Sequence, residues 1–553
     1  MSRVSNGGVL PQLLGCCLFL CLSRHVAAYS EAGAYGDAVI VDGEAPIAVT
    51  DEDFICATLD WWPPEKCDYG TCSWGSASLL NLDLSSPILL NAVKAFSPLK
   101  LRLGGTLQDK VTYQTLVPAQ PCTHFVKNES EMFGFTQGCL PLPRWDELNE
   151  FFKKSGDYRA VLSRAVIIFG LNALNGRVLR SDGSFEGPWN CTNAASLIRF
   201  TVNKGYTIHG WEFGNELSGS GVGTSVDADQ YAADVINLKW LVDDIYRGFP
   251  VKPLVLAPGG FFDADWFAEL VRKTKPNSLD VVTHHIYNLG AGVDEHLVEK
   301  ILDPTYLDGE ASTFRDLQGL LRNSGTNVKG WVGEAGGAYN SGRHLVTDSF
   351  VFSFWFLDQL GMSATYDTKT YCRQTLVGGN YGLLNTTTFH PNPDYYSALL
   401  WHRLMGTRVL STNLTGKLPN SIRAYAHCAK ESRGITLLLI NLSGNTTTRV
   451  PIISKTAYSL GRKDLWAGGS GFRGNIPGLP PAESTREEYH LTAQGGDLHS
   501  QTMLLNGNAL KVDENGNIPM MMPVRVEASQ PVTLAPYSIV FAHIPFFQAP
   551  ACR

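Results

Sequence analysis

With 553 residues, 44% of them hydrophobic and 18% charged, the chain is too apolar to be disordered and long enough to bury one large core and a second, smaller one. Its formal net charge of −7 becomes −9 once Arg3 and Arg24 leave with the leader described next, which makes nucleic acid a poor partner. A polyanionic polysaccharide would need a local basic groove on this acidic surface.

Residues 1–28 read as a secretory signal peptide: basic Arg3, an apolar centre LLGCCLFLCL, and small residues Val26, Ala27 and Ala28 before Tyr29. No later segment is apolar over the length a bilayer requires, and the closing PFFQAPACR is no lipid-anchor signal, so the sequence predicts an exported protein with no transmembrane segment. Six sequons, at Asn128, Asn190, Asn385, Asn413, Asn441 and Asn445, fit that route and predict glycosylation. Three of the 12 cysteines lie in the leader. Nine remain, an odd number that leaves a free thiol or an intermolecular bond. Cys122 with Cys139 is the one pairing that spacing suggests, and no cysteine pattern points to zinc.

From about residue 51 to 402 short apolar runs alternate with helical stretches. The runs are 54–60, 99–105, 164–172, 208–215, 254–260, 279–285, 328–334 and 362–367, eight strands that predict an α/β fold of the (β/α)8 TIM-barrel type. One intervening helix is explicit, with Asp227 as N-cap, a stripe of Tyr231, Val235, Leu238, Leu241 and Ile245, and Gly248 and Pro250 at its end. From 403 to 553 the period changes to two, in 421–428, 434–442, 502–512 with an Asn-Gly turn, and 537–544. This is an appended all-β sandwich, which the alternating stretch 38–50, within an N-terminal segment 29–50, joins from the other end of the chain. The Gly- and Pro-rich segment 467–497 reads as a surface loop.

Catalytic groups of such barrels gather on the loops after the strands. HGWEFGNELSGSG (209–221) ends the fourth strand with Glu216, and GWVGEAGGAYNSGR (330–343) ends the seventh with Glu334. Two carboxylates on one rim can cleave a glycosidic bond, one protonating the leaving oxygen and the other attacking or directing water. A solitary loop carboxylate would more often be ion-paired or merely exposed, and it is the pairing within one barrel frame that points to catalysis. Glu212, inside the strand, reads as a buried partner for an inward cation such as Arg102. His284 and His285 point to opposite faces of a strand and are poorly placed to share a metal, so no metal or cofactor is predicted. Tyr287, Tyr339 and Tyr381 are either plain loop aromatics or platforms for a sugar face.

Five motifs in order, LRLGGT, WEFGNE, HHIY, GEAGGAYNSGR and GGNYGLL, resemble the heparanase family of retaining β-glucuronidases (glycoside hydrolase family 79), and most closely its plant heparanase-like members. The resemblance implies that Glu216 is the general acid/base and Glu334 the nucleophile, and that Asn215 holds the sugar 2-hydroxyl. It also implies that Asp60, Thr106, Tyr287, Tyr339 and Tyr381 line the pocket, and that the backbone at Asn340 and Ser341, where animal members have glycines, grips the glucuronate carboxylate. Two features depart from the animal pattern. GGFFDADWF (259–267) stands where animal members carry a basic cluster for sulfated polysaccharide, and 112–145 is short and rich in Pro and Cys where they excise a linker. The reading is a secreted retaining β-glucuronidase acting on glucuronic acid in cell-wall or extracellular-matrix polysaccharides or proteoglycan glycans. Its destination would be the extracellular space or wall, or else a lysosome, a vacuole or a membrane periphery. The alternatives are an endo-acting cleaver of heparan sulfate-like chains and an inactive glycan-binding protein.

Overall fold

A computed structural model of the chain describes residues 37–115, 121–156, 165–219, 221–456, 458 and 484–553. The leader of 1–28 lies outside them. Eight parallel strands close into a barrel: Ile55–Asp60, Lys100–Gly104, Val166–Leu171, Gly210–Phe213, Leu254–Phe261, Val281–Ile286, Lys329–Ala335 and Tyr371–Arg373. Seven overlap the predicted runs. The eighth does not, because MSATYD is the end of the helix Phe352–Thr365 and the strand follows it at Tyr371–Arg373. That helix is buried on every side, so it has no polar stripe from which a period of 3.6 could be read.

The last strand closes on the first through Tyr371 with Ile55, Cys372 with Cys56 and Arg373 with Ala57, and a Cys56–Cys372 disulfide crosses this seam. Alternation then sends Lys100 and Arg102 of the second strand and Glu212 of the fourth into the barrel. Buried cations need partners. Near the strand starts Lys100 lies 4.0 Å from the Trp331 ring centroid and 3.0 Å from Asp53, while Arg102, one layer higher, meets a ring of acids described below. Outside, the helix Ala228–Ile245 starts at its Asp227 cap and buries Tyr231, Val235, Leu238 and Val242 against the strands.

Of the strands outside the barrel, those of one 11-stranded sheet form a separate large layer. Ala38–Asp42 pairs with Met405–Thr415, which continues through Ile422–Ala429, Ile435–Asn441 and Ser538–Ile544 to Thr485–Ala493 and Met503–Leu505. Along Ile435–Asn441 residues alternate between two cores, with Leu438 and Ile440 facing the barrel side. Leu437 and Leu439 instead join a second core with Val450, Val532 and Leu534. The segment 467–497 therefore needs correcting: 485–493 is a long strand of this sheet, with buried Arg486 and Glu488 ion-paired to each other, and 467–483 lies outside the described residues. Charged residues in the strand hide its alternation.

Cys122 and Cys139 are bonded, and Cys67 with Cys72 and Cys428 with Cys552 complete the disulfides; Cys191 is the free cysteine among the described residues. Asn128, Asn190, Asn413 and Asn445 are exposed and Asn385 is partly exposed. Asn441 corrects the sixth sequon. It is fully buried, and its amide nitrogen donates to the Thr446 and Ala535 carbonyls at 2.8 and 2.9 Å, which leaves no room for a glycan in this fold.

Candidate active site

The mouth of the barrel holds a cavity of about 620 Å³ at the C-terminal ends of the strands. Asp60, Thr106, Glu216, Tyr287, Glu334, Tyr339, Asn340, Ser341 and Tyr381 all line it. Asn215 does not; it is buried just beneath, with its carbonyl oxygen accepting from Arg102 at 2.8 Å. Trp62, Lys66, Asp68, Trp74 and Gln374 also line the cavity, and the sequence singled out none of them.

Glu216 follows the fourth strand in a left-handed backbone conformation, φ 56°, uncommon for a residue with a side chain, and its amide donates to the Gly259 carbonyl at 2.6 Å. The glycines after it have a reason. Gly221 (φ 109°) passes so close over the carboxyl that a Cβ there would sit 2.6 Å from Glu216 Oε2. Glu216 Oε1 lies 2.8 Å from His285 Nδ1. Burial pushes the Glu216 carboxyl up to about 8, with Arg102 pulling the other way, and burial holds the His285 ring down to about 4. The acid thus keeps its proton at neutral pH beside a neutral imidazole.

Glu334 is in different company. Its Oε2 accepts from Arg102 Nη1 at 2.7 Å and its Oε1 from the Tyr287 hydroxyl at 2.6 Å, one donor on each oxygen. Burial, and after it the charge of Glu334, raises Tyr287 well above the usual phenol range, so the phenol stays a donor. Arg102 spends its remaining groups on Glu212 (Nε, 2.6 Å) and Asn215 (Nη2). Glu212 Oε1 accepts from Thr283 Oγ1 at 2.8 Å, so this acid is the arginine's buried counter-charge, below the cavity. Glu216 and Glu334 are 7% and 6% exposed, small values that still open both onto the cavity, unlike Glu212 at 0%.

Oxygens of the Glu216 and Glu334 carboxyls and a nitrogen of His285 lie within 4.8 Å of one another. Asp60 is pushed well above the carboxylate range, first by burial and then by Glu334, and accepts from Gln374 Nε2. Gly105 (φ 95°) makes room for it, since a Cβ there would overlap Asp60 Oδ1. Below Asn215, Asp109 accepts from the Asn215 and Ala173 amides at 2.8 and 2.7 Å, and burial raises it to about 7. Asn340 and Ser341 have φ of 56° and 68°, the left-handed backbone that glycine would supply. Ser341 Oγ accepts from Trp74 Nε1 at 2.9 Å and donates to Asp68, and Asn340 Nδ2 donates to the Tyr69 hydroxyl at 3.1 Å. His285 was within reach of the alternation that points it inward; the loop of 62–74 carried no such signal.

Residues 36–361 match the sequence pattern of the glycosyl hydrolase family 79 N-terminal domain. The chain is 55% identical to heparanase-like protein 3 of Arabidopsis thaliana, over 98% of this chain and 99% of that one. It is 44% identical to baicalin-beta-D-glucuronidase of Scutellaria baicalensis, over 91% of each. Among solved structures, a 4-O-alpha-L-rhamnosyl-beta-D-glucuronidase from Fusarium oxysporum superposes with a TM-score of 0.60 at 15% identity, covering 91% of this chain and 99% of that one. An alpha-L-arabinofuranosidase from Thermotoga maritima superposes with a TM-score of 0.58 at 16% identity, over 92% and 99%, so the likeness of these two is one of fold.

Proposed function

The chain belongs to glycosyl hydrolase family 79 and is a glycoside hydrolase of glucuronidase type, and from that premise we propose that it is an exported, retaining β-glucuronidase acting on glucuronic acid of cell-wall or matrix glycans. One observation carries the mechanism: two carboxyl groups whose oxygens come within 4.8 Å, one kept protonated by burial and the other held by an arginine and a phenol. A spacing of about 5–5.5 Å suits direct attack, whereas inversion needs about 6.5–9.5 Å to seat a water.

Glu334 attacks the anomeric carbon as a carboxylate while Glu216 gives its proton to the leaving oxygen, forming a glycosyl ester and breaking the glycosidic bond. Glu216, now ionised, takes a proton from water as that water displaces Glu334, and the site returns to its starting state. Asn215, held by Arg102 just beneath the cavity, reaches the 2-hydroxyl from below, while Asp60 and Thr106 meet the other hydroxyls and Tyr339 and Tyr381 flank the ring. The Asn340 and Ser341 backbone receives the carboxylate. Asp263 and Asp265 follow the fifth strand, an acidic start to the helix Ala264–Lys273 that supports a substrate carrying little sulfate. No helix among the described residues is long and apolar enough to cross a membrane, in keeping with export.

Following the hydrolysis of an aryl β-glucuronide by proton NMR tests this reading. β-Glucuronic acid should appear first and mutarotate later. First appearance of the α anomer, or no glucuronic acid at all, overturns it.

A further inference from the structure

The acids and bases around the cavity are unevenly distributed. Four of its lining residues are acids: Asp60, Asp68, Glu216 and Glu334. Lys66 is the one lining cation among the described residues. Arg102 lies below, with all three of its nitrogens committed to Glu212, Glu334 and Asn215. A uronate brings a further negative charge into this surrounding, and desolvating it without a counter-charge is costly.

Lys66 sits where such a charge would arrive. Its ammonium is 4.6 Å from the Trp62 ring centroid and 2.7 Å from Asp68 Oδ1, and the other oxygen of Asp68 accepts from Ser341 Oγ. One carboxylate therefore links Lys66 to the left-handed Asn340 and Ser341 pair. The loop that carries Lys66 is closed by Cys67–Cys72 and turns at Tyr69 and Gly70, both with positive φ, so it is braced rather than slack. Asp68 stays anchored through Ser341 while the four-carbon stem of Lys66, 20% exposed on the face of Trp62, is free to turn its head group.

We propose that Lys66 is a specificity-determining residue: with the Asn340 and Ser341 backbone it forms a composite anion site for the carboxylate of the uronic acid, and the Cys67–Cys72 loop holds it there. The inference rests on the β-glucuronidase reading above and adds the residue that distinguishes a charged sugar from its neutral counterpart.

The test compares a 4-nitrophenyl β-glucuronide with its uncharged glucuronamide in wild type, Lys66→Met and Lys66→Arg. The methionine keeps the apolar stem over Trp62 and loses the charge. It should lower the acid-to-amide ratio of kcat/KM about ten- to a hundredfold, mainly through KM for the acid, and Lys66→Arg should restore most of the ratio. If wild type prefers the acid and Lys66→Met keeps the same ratio, Lys66 has no part in recognition and the inference fails alone. If Lys66→Met loses both substrates in equal proportion, the residue is structural and the inference again fails. A wild type that favours the amide overturns the function reading, and the inference with it.

Discussion

Glu216 Oε1 and His285 Nδ1 lie 2.8 Å apart, and burial keeps both groups uncharged at neutral pH, the carboxyl raised to about 8 and the imidazole lowered to about 4. The pair therefore shares a hydrogen bond without being an ion pair. For the acid role proposed above, kcat/KM should be full while Glu216 holds its proton and should fall as pH rises through about 8, by about tenfold per pH unit beyond it. His285 should add no inflection near 6.5. A pH profile on an aryl β-glucuronide checks both statements, and an alkaline limb near 5 would contradict them.

The same displacement acts on stability. Glu216 titrates above its ordinary 4.5 in the folded chain, so its contribution is fully present below pH 4.5 and is lost as pH rises through about 8. Glu216→Gln should flatten the decline in Tm between pH 5 and pH 8. On substrates with poor leaving groups the same variant should be about 10²–10⁴-fold slower, with much less loss on activated ones.

Arg102 holds Glu212 and Glu334 from within the barrel, 1% exposed. Arg102→Met leaves two carboxylates without their counter-charge and should cost about 3–5 kcal/mol in chemical denaturation. Adding Glu212→Gln should recover part of that stability while activity stays low, because Glu334 still lacks its donor. Recovery of both together would separate Arg102 from the chemistry.

Glycopeptide mass spectrometry of the protein expressed in a secretory host should find glycan at Asn128, Asn190, Asn413 or Asn445 and none at Asn441. Occupancy at Asn441 would require the Thr446 and Ala535 carbonyls to lose their donor, and so a different arrangement of this end of the strand.

Cys428 and Cys552 are bonded across a sequence separation of 124 residues. Cys428→Ser should lower stability by about 2–5 kcal/mol, read as a shift in the denaturation midpoint.

Much of the barrel was legible because a parallel strand buried on both faces writes itself as an unbroken apolar run followed by Gly or Asn. Tyr371–Arg373 escaped because a three-residue strand is too short to show a period, and the all-buried helix before it imitates one. Thr485–Ala493 escaped because Arg486 and Glu488 neutralise each other out of solvent, an arrangement that pattern reading takes for surface. At the site, Glu216 and Glu334 stand at strand ends where alternation and motif agree. Lys66 and Asp68 come from a loop whose position relative to Ser341 is a matter of tertiary folding alone.

The bond between Cys56 and Cys372 joins the two staves at which the ring of strands begins and ends. A single protease cut between them, anywhere in a sequence separation of 316, yields pieces that stay one molecule until a reductant is added. A nicked form would then migrate whole on a non-reducing gel and divide only on a reducing one, so clipping in the loops around the mouth need not release any part of the hoop.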